Sequence, residues 1–171
     1  LNQLEGKVKD WMQDHVEKRK LWFSSDFLPA DEKMNDDQEA NNKILCDRSR
    51  GVKDEVRVAV ALNLLTEEGL PHFHRLIAQH LGDRSFWSKW NNMWTAEEDR
   101  HGAAIRDYVR DARLFSFREV ELMQFHYIES GFNPDWDKDP YKVFVYTTLQ
   151  ERATQVSHKN TGKLAGQEEP L

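Results

Sequence analysis

The sequence predicts an all-α protein, and three observations over its 171 residues lead to this fold class. Apolar side chains recur every three or four residues along most of the chain, which is the period of an amphipathic helix. No segment alternates apolar and polar side chains as a half-buried strand would. Only 8 glycines and 5 prolines interrupt the chain, while 6 tryptophans and 9 phenylalanines supply ample material for a core. We therefore expect a helical bundle.

The first predicted helix covers residues 1–20, where Leu4, Val8 and Trp11 fall at helical spacing among charged side chains. Serines and Pro29 interrupt the helical pattern that follows. Residues 30–51 are polar and show no period, so they are expected to form a surface loop.

The second predicted helix, residues 52–81, is apolar on nearly every face in its first half, as in a helix at the centre of a bundle. Pro71 should kink it, because proline removes a backbone hydrogen bond and its ring clashes with the preceding turn. Gly82 marks a break, and a third helix is expected over residues 85–111.

Capping signals define the last two predicted helices. Ser116 and Glu119 have the spacing of a capping box, which predicts a fourth helix that closes at Gly131. Asp139 followed by Pro140 is typical of an N-cap with proline at the first helical position. A long fifth helix should follow to about residue 165.

Composition excludes several function classes. The chain has 24 basic and 30 acidic side chains and a net charge of −6, so it is a poor candidate for binding nucleic acid or an anionic membrane. No run approaches 18 apolar residues, so no transmembrane segment is predicted. A single cysteine, Cys46, permits neither an internal disulfide nor a zinc site built on several thiolates. A catalytic role for Cys46 is disfavoured, because no histidine lies near it in the sequence.

In three of the predicted helices an acidic residue falls on the seam. By seam we mean the row of side chains, spaced alternately by three and four residues, that faces the core and is expected to be apolar. Glu67 lies on the seam of the second predicted helix and Glu151 on that of the fifth. Glu98 and His101 share the seam of the third helix, since a step of three residues places both on one face. A buried carboxylate without a partner costs several kcal/mol, roughly, so each of these acids needs compensation.

The residue pattern leaves two solutions open. In an acid-rich bundle the carboxylates would pair with arginines such as Arg75, Arg106 or Arg152. Alternatively they share a cation. A dinuclear iron or manganese site in a four-helix bundle takes a Glu from each of two helices and a Glu-x-x-His from each of the other two. Residues 98–101 form one such motif, and the seam acids of the second and fifth helices would be the lone carboxylates.

Five stretches of the chain closely resemble the soluble acyl-acyl-carrier-protein desaturases. They are residues 22–29 (WFSSDFLP), 65–71 (LTEEGLP), 94–102 (WTAEEDRHG), 150–154 (QERAT) and 157–161 (SHKNT). Their order and spacing agree with the family over nearly the whole chain. The resemblance implies a ferritin-like di-iron fold, commonly homodimeric, and the insertion of a cis double bond into a fatty acyl chain held on acyl carrier protein.

The resemblance also implies roles for individual residues. Glu67 and His101 would bind one iron, Glu98 would bridge the pair, and Glu151 would bind the second iron. Thr154 matches a threonine near the oxygen-binding side of the cluster.

Trp22 aligns with a tryptophan proposed to pass electrons inward through the iron-bound histidine. From the residues alone, an aromatic side chain packed on the core at a helix end is an equal interpretation of Trp22. His15, His74 and His158 lie on seams but match no ligand position, so we expect them to be packed or to support ligands.

One feature of the family pattern is missing, because Leu171 is reached before a second Glu-x-x-His. Only four of six expected protein ligands are present. We expect residues 1–171 to be the N-terminal and central part of a longer ferritin-like domain that lacks its fourth ligand-bearing helix. A truncated relative with an impaired site is the alternative.

The functional hypothesis that follows is an oxidoreductase with two irons and O₂ as co-substrate, supplied with electrons by a ferredoxin-like donor. Acyl carrier protein would need a local basic patch, for which Lys18, Arg19 and Lys20 are candidates. A related di-iron hydroxylase or oxidase, or a non-catalytic ferritin-like interaction protein, remains an alternative. The family implies a cytoplasmic protein in bacteria and a plastid-stroma protein in plants.

Overall fold

The computed structural model describes residues 1–28, 37–135 and 138–166. Within these ranges every regular element is helical, so the predicted all-α class is confirmed. The α-helices are α1 (Glu5–Lys18), α2 (Asp37–Ser49), α3 (Asp54–Glu67), α4 (Leu70–Ala78), α5 (Phe86–Asp111), α6 (Phe117–Ser130) and α7 (Pro140–Ala165). Short 3₁₀ turns lie at Asn2–Leu4 and Ser24–Asp26. None of the helices in the described ranges has the length and apolar character needed to cross a membrane.

Helix α5 is the central element of the bundle. Helices α1, α3 and α4 all pack on it, while α7 packs on α3 and α4, and α6 packs on α3. The first turn of α5 is capped by Ser85, whose side chain accepts a hydrogen bond from the backbone N–H of Ser88. Helix α3 thus lies against both α5 and α7, so the three helices that carry seam acids are neighbours through α3.

Two apolar clusters bracket the seam acids along these helices. The first cluster comprises Leu45, Val56, Val60, Leu64, Tyr108, Val109, Ala112, Leu114 and Val120. The second comprises Leu76, Ile77 and Val143, with Trp90, Trp94 and Phe144 packed against it. On α5 the residues of the second cluster precede Glu98 and those of the first follow His101. The acids therefore lie in a polar layer between two apolar clusters.

The expected surface loop over residues 30–51 is wrong for its second half, which forms α2. Residues 29–36, including Pro29, lie outside the described residues. In α2 the Leu45 side chain is only 2% exposed and belongs to the first apolar cluster. One turn later the Ser49 hydroxyl donates a hydrogen bond to the carbonyl of Ala112. Helix α2 buries only a narrow stripe and needs few apolar residues to do so. Its sequence therefore shows no clear helical period.

The predicted kink at Pro71 is instead a complete break. Helix α3 ends at Glu67, and α4 begins at Leu70 with Pro71 in its first turn. In a continuous helix, proline would lack the backbone N–H that bonds to residue 67 and would clash with its carbonyl. In the first turn of a new helix it carries neither cost. The break leaves Glu67 as the last residue of α3.

The remaining helix ends agree with the sequence in position. Helix α5 matches the predicted residues 85–111, and Gly131 ends α6 with a φ of 74°. Asp139 caps α7 by accepting hydrogen bonds from two backbone N–H groups of its first turn. The predicted capping box is wrong, because the Ser116 side chain accepts no capping hydrogen bond even though α6 begins directly after it.

Candidate metal centre

The seam acids converge where α3, α5 and α7 pass one another. Glu67 ends α3, Glu98 lies midway along α5, and Glu151 lies midway along α7. All three line one cavity of about 20 Å³, together with Thr154. A cavity of this size accommodates about one water molecule or one ion.

Two carboxylates and one imidazole form the tightest group within this layer. One potential ligand atom from each of Glu67, Glu98 and His101 lies within 4.8 Å of the others. His101 Nδ1 is 2.9 Å from Glu98 Oε2 and 3.7 Å from Glu67 Oε2. The side chain of Glu67 is only 8% exposed. Carboxylates combined with imidazole suit iron and similar divalent cations, so these residues fit the metal that the sequence predicts.

The electrostatics of Glu67 and His101 are tightly linked. Burial by itself raises the pKa of Glu67, but hydrogen bonds and charge from His101 and His158 outweigh burial and bring that pKa down to about 2. Hydrogen bonds to Glu67 and Glu98 raise the pKa of His101 to about 10, against the opposing effect of burial. Without a metal, a protonated His101 therefore takes the place of a cation beside the two carboxylates.

Glu151 has the opposite character. Burial raises its pKa to about 7, and the nearby charges of Glu98 and Glu67 contribute to the rise. Within the described ranges no basic side chain forms an ion pair with Glu151. A carboxyl group in this setting retains a proton near neutral pH. A bound cation would favour the ionised carboxylate and release that proton.

The arginines that could have paired with the seam acids lie elsewhere. Arg106 pairs with Glu68, which is off the seam. Arg75 donates to the carbonyl of Phe132, and Arg152 donates to the Gln155 side chain. The interpretation of the site as an acid-rich bundle neutralised by these three arginines is therefore wrong.

A glycine lets the end of α3 approach α5 closely. A Cβ atom at Gly102 would lie 3.2 Å from Glu68 Oε1 and 3.6 Å from Glu67 Cβ. A Cβ atom at this position would meet Glu67 at an ordinary contact distance, and only the Glu68 carboxylate would have to move, by roughly a few tenths of an ångström.

Trp22 lies directly against the candidate centre. Its indole stacks on the His101 ring, with centroids 5.6 Å apart and planes inclined by 5°. Arg100 holds it from a second direction, with Cζ 4.9 Å from the indole centroid and Nη1 donating to the Trp22 carbonyl at 3.0 Å. These contacts show where the indole packs, and both interpretations of Trp22 stay predictions.

The seam pattern did not identify Glu97, which joins α1 to α5. Its carboxylate is 2.5 Å from Arg19 Nη1 and 2.9 Å from His15 Nε2. Burial raises the pKa of Glu97, but the Arg19 and His15 contacts outweigh it, and the pKa is lowered overall. Arg19, a candidate for the basic patch, is thus engaged within the fold. No feature of the helical period distinguishes Glu97 from a solvated residue.

The other seam histidines have polar partners. His74 Nδ1 is 2.6 Å from the Thr95 hydroxyl. His158 Nε2 is 2.6 Å from Glu67 Oε1 and so contacts a candidate ligand directly. His158 also lines a wider groove of about 800 Å³, where it lies with Trp22 and Thr154. The walls of this groove include Leu28, Val60, Ile105 and Tyr108.

Comparison with known proteins identifies the family. A model of a fatty acid desaturase family matches residues 1–171. The chain belongs to this fatty acid desaturase family. The resemblance predicted from the five sequence stretches is thereby confirmed.

Three relatives illustrate the range of this desaturase family. DesA1 of Mycobacterium tuberculosis, provisionally named an acyl-(acyl-carrier-protein) desaturase, is 34% identical over 170 residues, covering 95% of this chain and 50% of that protein. The chloroplastic stearoyl-(acyl-carrier-protein) 9-desaturase of Gossypium hirsutum is 33% identical over 95% of this chain and 42% of its own length. The chloroplastic palmitoyl-(acyl-carrier-protein) 4-desaturase of Coriandrum sativum is 33% identical over 96% and 44%. The chain thus spans half or less of the length of these desaturase relatives.

Proposed function

We propose that this chain is part of an enzyme that inserts a cis double bond into a fatty acyl chain carried on acyl carrier protein. The observation that carries the proposal is the convergence of Glu67, Glu98, Glu151 and His101 between two apolar clusters. The names of the relatives support the substrate class, since each is that of a desaturase acting on an acyl chain carried by acyl carrier protein.

The reaction sets requirements that the site can meet. Desaturation removes two hydrogens from adjacent methylene groups, and two further electrons from a donor, with two protons, complete the reduction of O₂ to two water molecules. When bound, a di-iron pair supplies the redox chemistry that O₂ activation needs. In this proposal Glu67 and His101 would hold one iron, Glu151 would hold the second, and Glu98 would bind both.

The chain's own residues would also control water and protons. Leu70, Phe73 and Trp94 line the same small cavity as the acids, so one wall is apolar and excludes water from the reacting centre. The Thr154 hydroxyl lies at this cavity and donates to backbone carbonyls of its own helix, including that of Glu151 at 3.1 Å. Glu151, with its raised pKa, can hold a proton until a cation displaces it.

Four ligand side chains are fewer than a carboxylate-bridged pair takes in a four-helix bundle. We therefore propose that the second Glu-x-x-His comes from residues outside these 171. The homodimer, the ferredoxin-like donor, electron entry through Trp22 and the compartment stay predictions of the family resemblance. For docking of acyl carrier protein, Lys18 and Lys20 remain candidates, while Arg19 is bound to Glu97.

The test is product analysis with the full-length protein. Iron content and optical spectrum are measured first, and the protein is then incubated with acyl carrier protein loaded with acyl chains of several lengths, a ferredoxin system and O₂. A product lighter by two hydrogens supports the proposal. A product heavier by one oxygen would identify a hydroxylase. An iron-free protein without product would favour the non-catalytic interaction protein. The Glu98→Gln variant serves as the inactive control.

A further inference from the structure

The two oxygens of the Glu67 carboxylate face different partners. Oε1 is 2.6 Å from Nε2 of His158 on α7. Oε2 is the oxygen that faces His101, at 3.7 Å from its Nδ1. The contact with His158 therefore occupies one oxygen of Glu67. The other oxygen faces the group that Glu67 forms with Glu98 and His101.

Glu67 needs such a contact because of its place in the chain. It is the last residue of α3, and the helix stops there because Pro71 begins the next one. A carboxylate on a residue in the last turn has fewer neighbours on its own helix, and its terminal torsion is broad. A hydrogen bond from α7 fixes the rotation of the Glu67 carboxylate about its last side-chain bond, which the backbone does not restrict.

Hydrogen bonds other than that of His158 also join α3 to α7. The Ser157 hydroxyl donates to Asn63 Oδ1 at 3.0 Å, and Asn63 Nδ2 donates to the Thr161 hydroxyl at 3.2 Å. Asn63 and Thr161 are both only 6% exposed. This pair of hydrogen bonds joins the two helices beside His158, whose own hydrogen bond goes to Glu67.

We propose that His158 is a positioning residue for Glu67, and that it acts by donating a hydrogen bond from Nε2 to Oε1 so that Oε2 is presented to the cation. His158 is not itself a ligand in this assignment. The inference rests on the proposed function, because it assumes that Glu67 binds metal. Hydrogen-bond partners of metal ligands orient the ligand, and their loss typically lowers metal affinity about 10–100-fold.

The experiment compares four variants with the wild type in the full-length protein, titrated with Co²⁺ alone and followed by its visible absorption. His158→Leu removes the donor. His158→Gln keeps an N–H near the Nε2 position, whereas His158→Asn places its N–H nearer the Nδ1 position and cannot reach Glu67. Ser157→Ala is the matched control, because it removes a hydrogen bond between α3 and α7 without touching Glu67.

We expect His158→Leu and His158→Asn to weaken Co²⁺ binding about 10–100-fold. His158→Gln should recover most of the loss with an unchanged spectrum, and Ser157→Ala should bind like the wild type. Thermal unfolding of the metal-free proteins shows whether each variant is folded, and His158→Asn provides the decisive comparison if His158→Leu is not.

Wild-type affinity in His158→Asn, or affinity in His158→Gln as weak as in His158→Asn, would overturn the positioning role. These outcomes leave the proposed function intact. A wild-type protein that binds no Co²⁺ would instead overturn the proposed metal centre, and the role of His158 with it.

Discussion

The indole of Trp22 lies parallel to the imidazole of His101, with ring centroids 5.6 Å apart. Trp22 lies outside the α-helices, between α1 and the turn at Ser24–Asp26. Arg100 contacts the same indole. Arg100 and His101, which are adjacent on α5, thus both contact the Trp22 indole, and that indole is only partly buried. The Trp22 side chain thereby lies between His101, a candidate metal ligand, and the protein surface.

The Glu98→Gln variant should lose most of its bound iron while keeping its helical fold. The substitution preserves shape but removes a charge from the group that Glu98 forms with Glu67 and His101. Without that charge the site offers a cation a weaker and incomplete donor set. The measurement is iron stoichiometry in the full-length protein, with far-ultraviolet circular dichroism as the check of folding.

The Glu97→Gln variant is the matched control for metal content. Glu97 precedes Glu98 directly but faces Arg19 and His15 rather than the acids. Iron content should stay near the wild-type value. Equal losses of iron in both variants would contradict the assignment of Glu98.

Metal affinity should rise with pH. Histidine binds a metal only when it has lost its proton, and the pKa of His101 in the metal-free fold is about 10. The pKa of Glu151 is about 7, so below that pH a second proton must also leave. The Kd for Co²⁺ should therefore fall about tenfold per pH unit above neutrality, and more steeply below it. A Kd that stays constant between about pH 7 and 9 would contradict this linkage.

Metal binding should quench the fluorescence of Trp22. The indole stacks on His101, so a paramagnetic ion bound to that imidazole would lie within a few side-chain lengths of the ring. Titration with Co²⁺ should reduce the tryptophan emission of the wild type, and Trp22→Phe should remove part of that change, since Trp94 also lines the cavity beside the acids. Trp11→Phe is the control, because Trp11 lies on α1 and is 60% exposed. Equal quenching in the wild type and Trp22→Phe would show that another tryptophan reports the metal.

Glu97→Gln should also loosen α1. The Glu97 carboxylate binds Arg19 and His15 at the end of α1, and its side chain is 19% exposed. Loss of this charge should lower the free energy of unfolding by about 1–3 kcal/mol. Chemical denaturation measures the loss, and hydrogen exchange should locate it in residues 5–18. Asp14→Asn, which breaks an exposed pair with Lys18, should cost only about 0.3–0.5 kcal/mol.

The 171-residue chain on its own should self-associate. Val145 and Leu149 on α7 are 60% and 67% exposed, and Val58 and Leu62 on α3 are 69% and 61% exposed. Neighbouring apolar side chains at such exposure favour association over solvation. Sedimentation velocity over a range of concentrations checks this expectation, with Leu149→Gln as the variant that should reduce association. A concentration-independent monomer would contradict it.

The sequence predicted the convergence of the acids because helical periodicity reports which residues share a face. Glu67, Glu98 and Glu151 each lie in the middle of a seam, and this position can be read from the sequence without knowledge of the fold. The same reasoning missed Glu97, since it assigns one buried face to each helix. Helix α5 has neighbours on several sides, and a residue off the main seam can still meet one of them.

Segments with few buried residues escaped prediction for a different reason. Helix α2 buries little beyond Leu45 and Ser49, so its sequence resembles that of a loop. The contact between Trp22 and His101 involves a segment with no regular period. Only the family resemblance placed these two residues together, because contacts between an irregular segment and a helix leave no repeating pattern.

The position of the acids between two apolar clusters has a consequence for metal exchange. The clusters pack on both sides of the polar layer, and within it the protonated His101 offsets the charge of the acids, so the acids stay together without an ion. A site of this kind is pre-organised, and little of the binding energy would be spent on ordering the chain. Under the proposed function, iron would leave and re-enter a folded site, and a chelator would remove it without unfolding the protein.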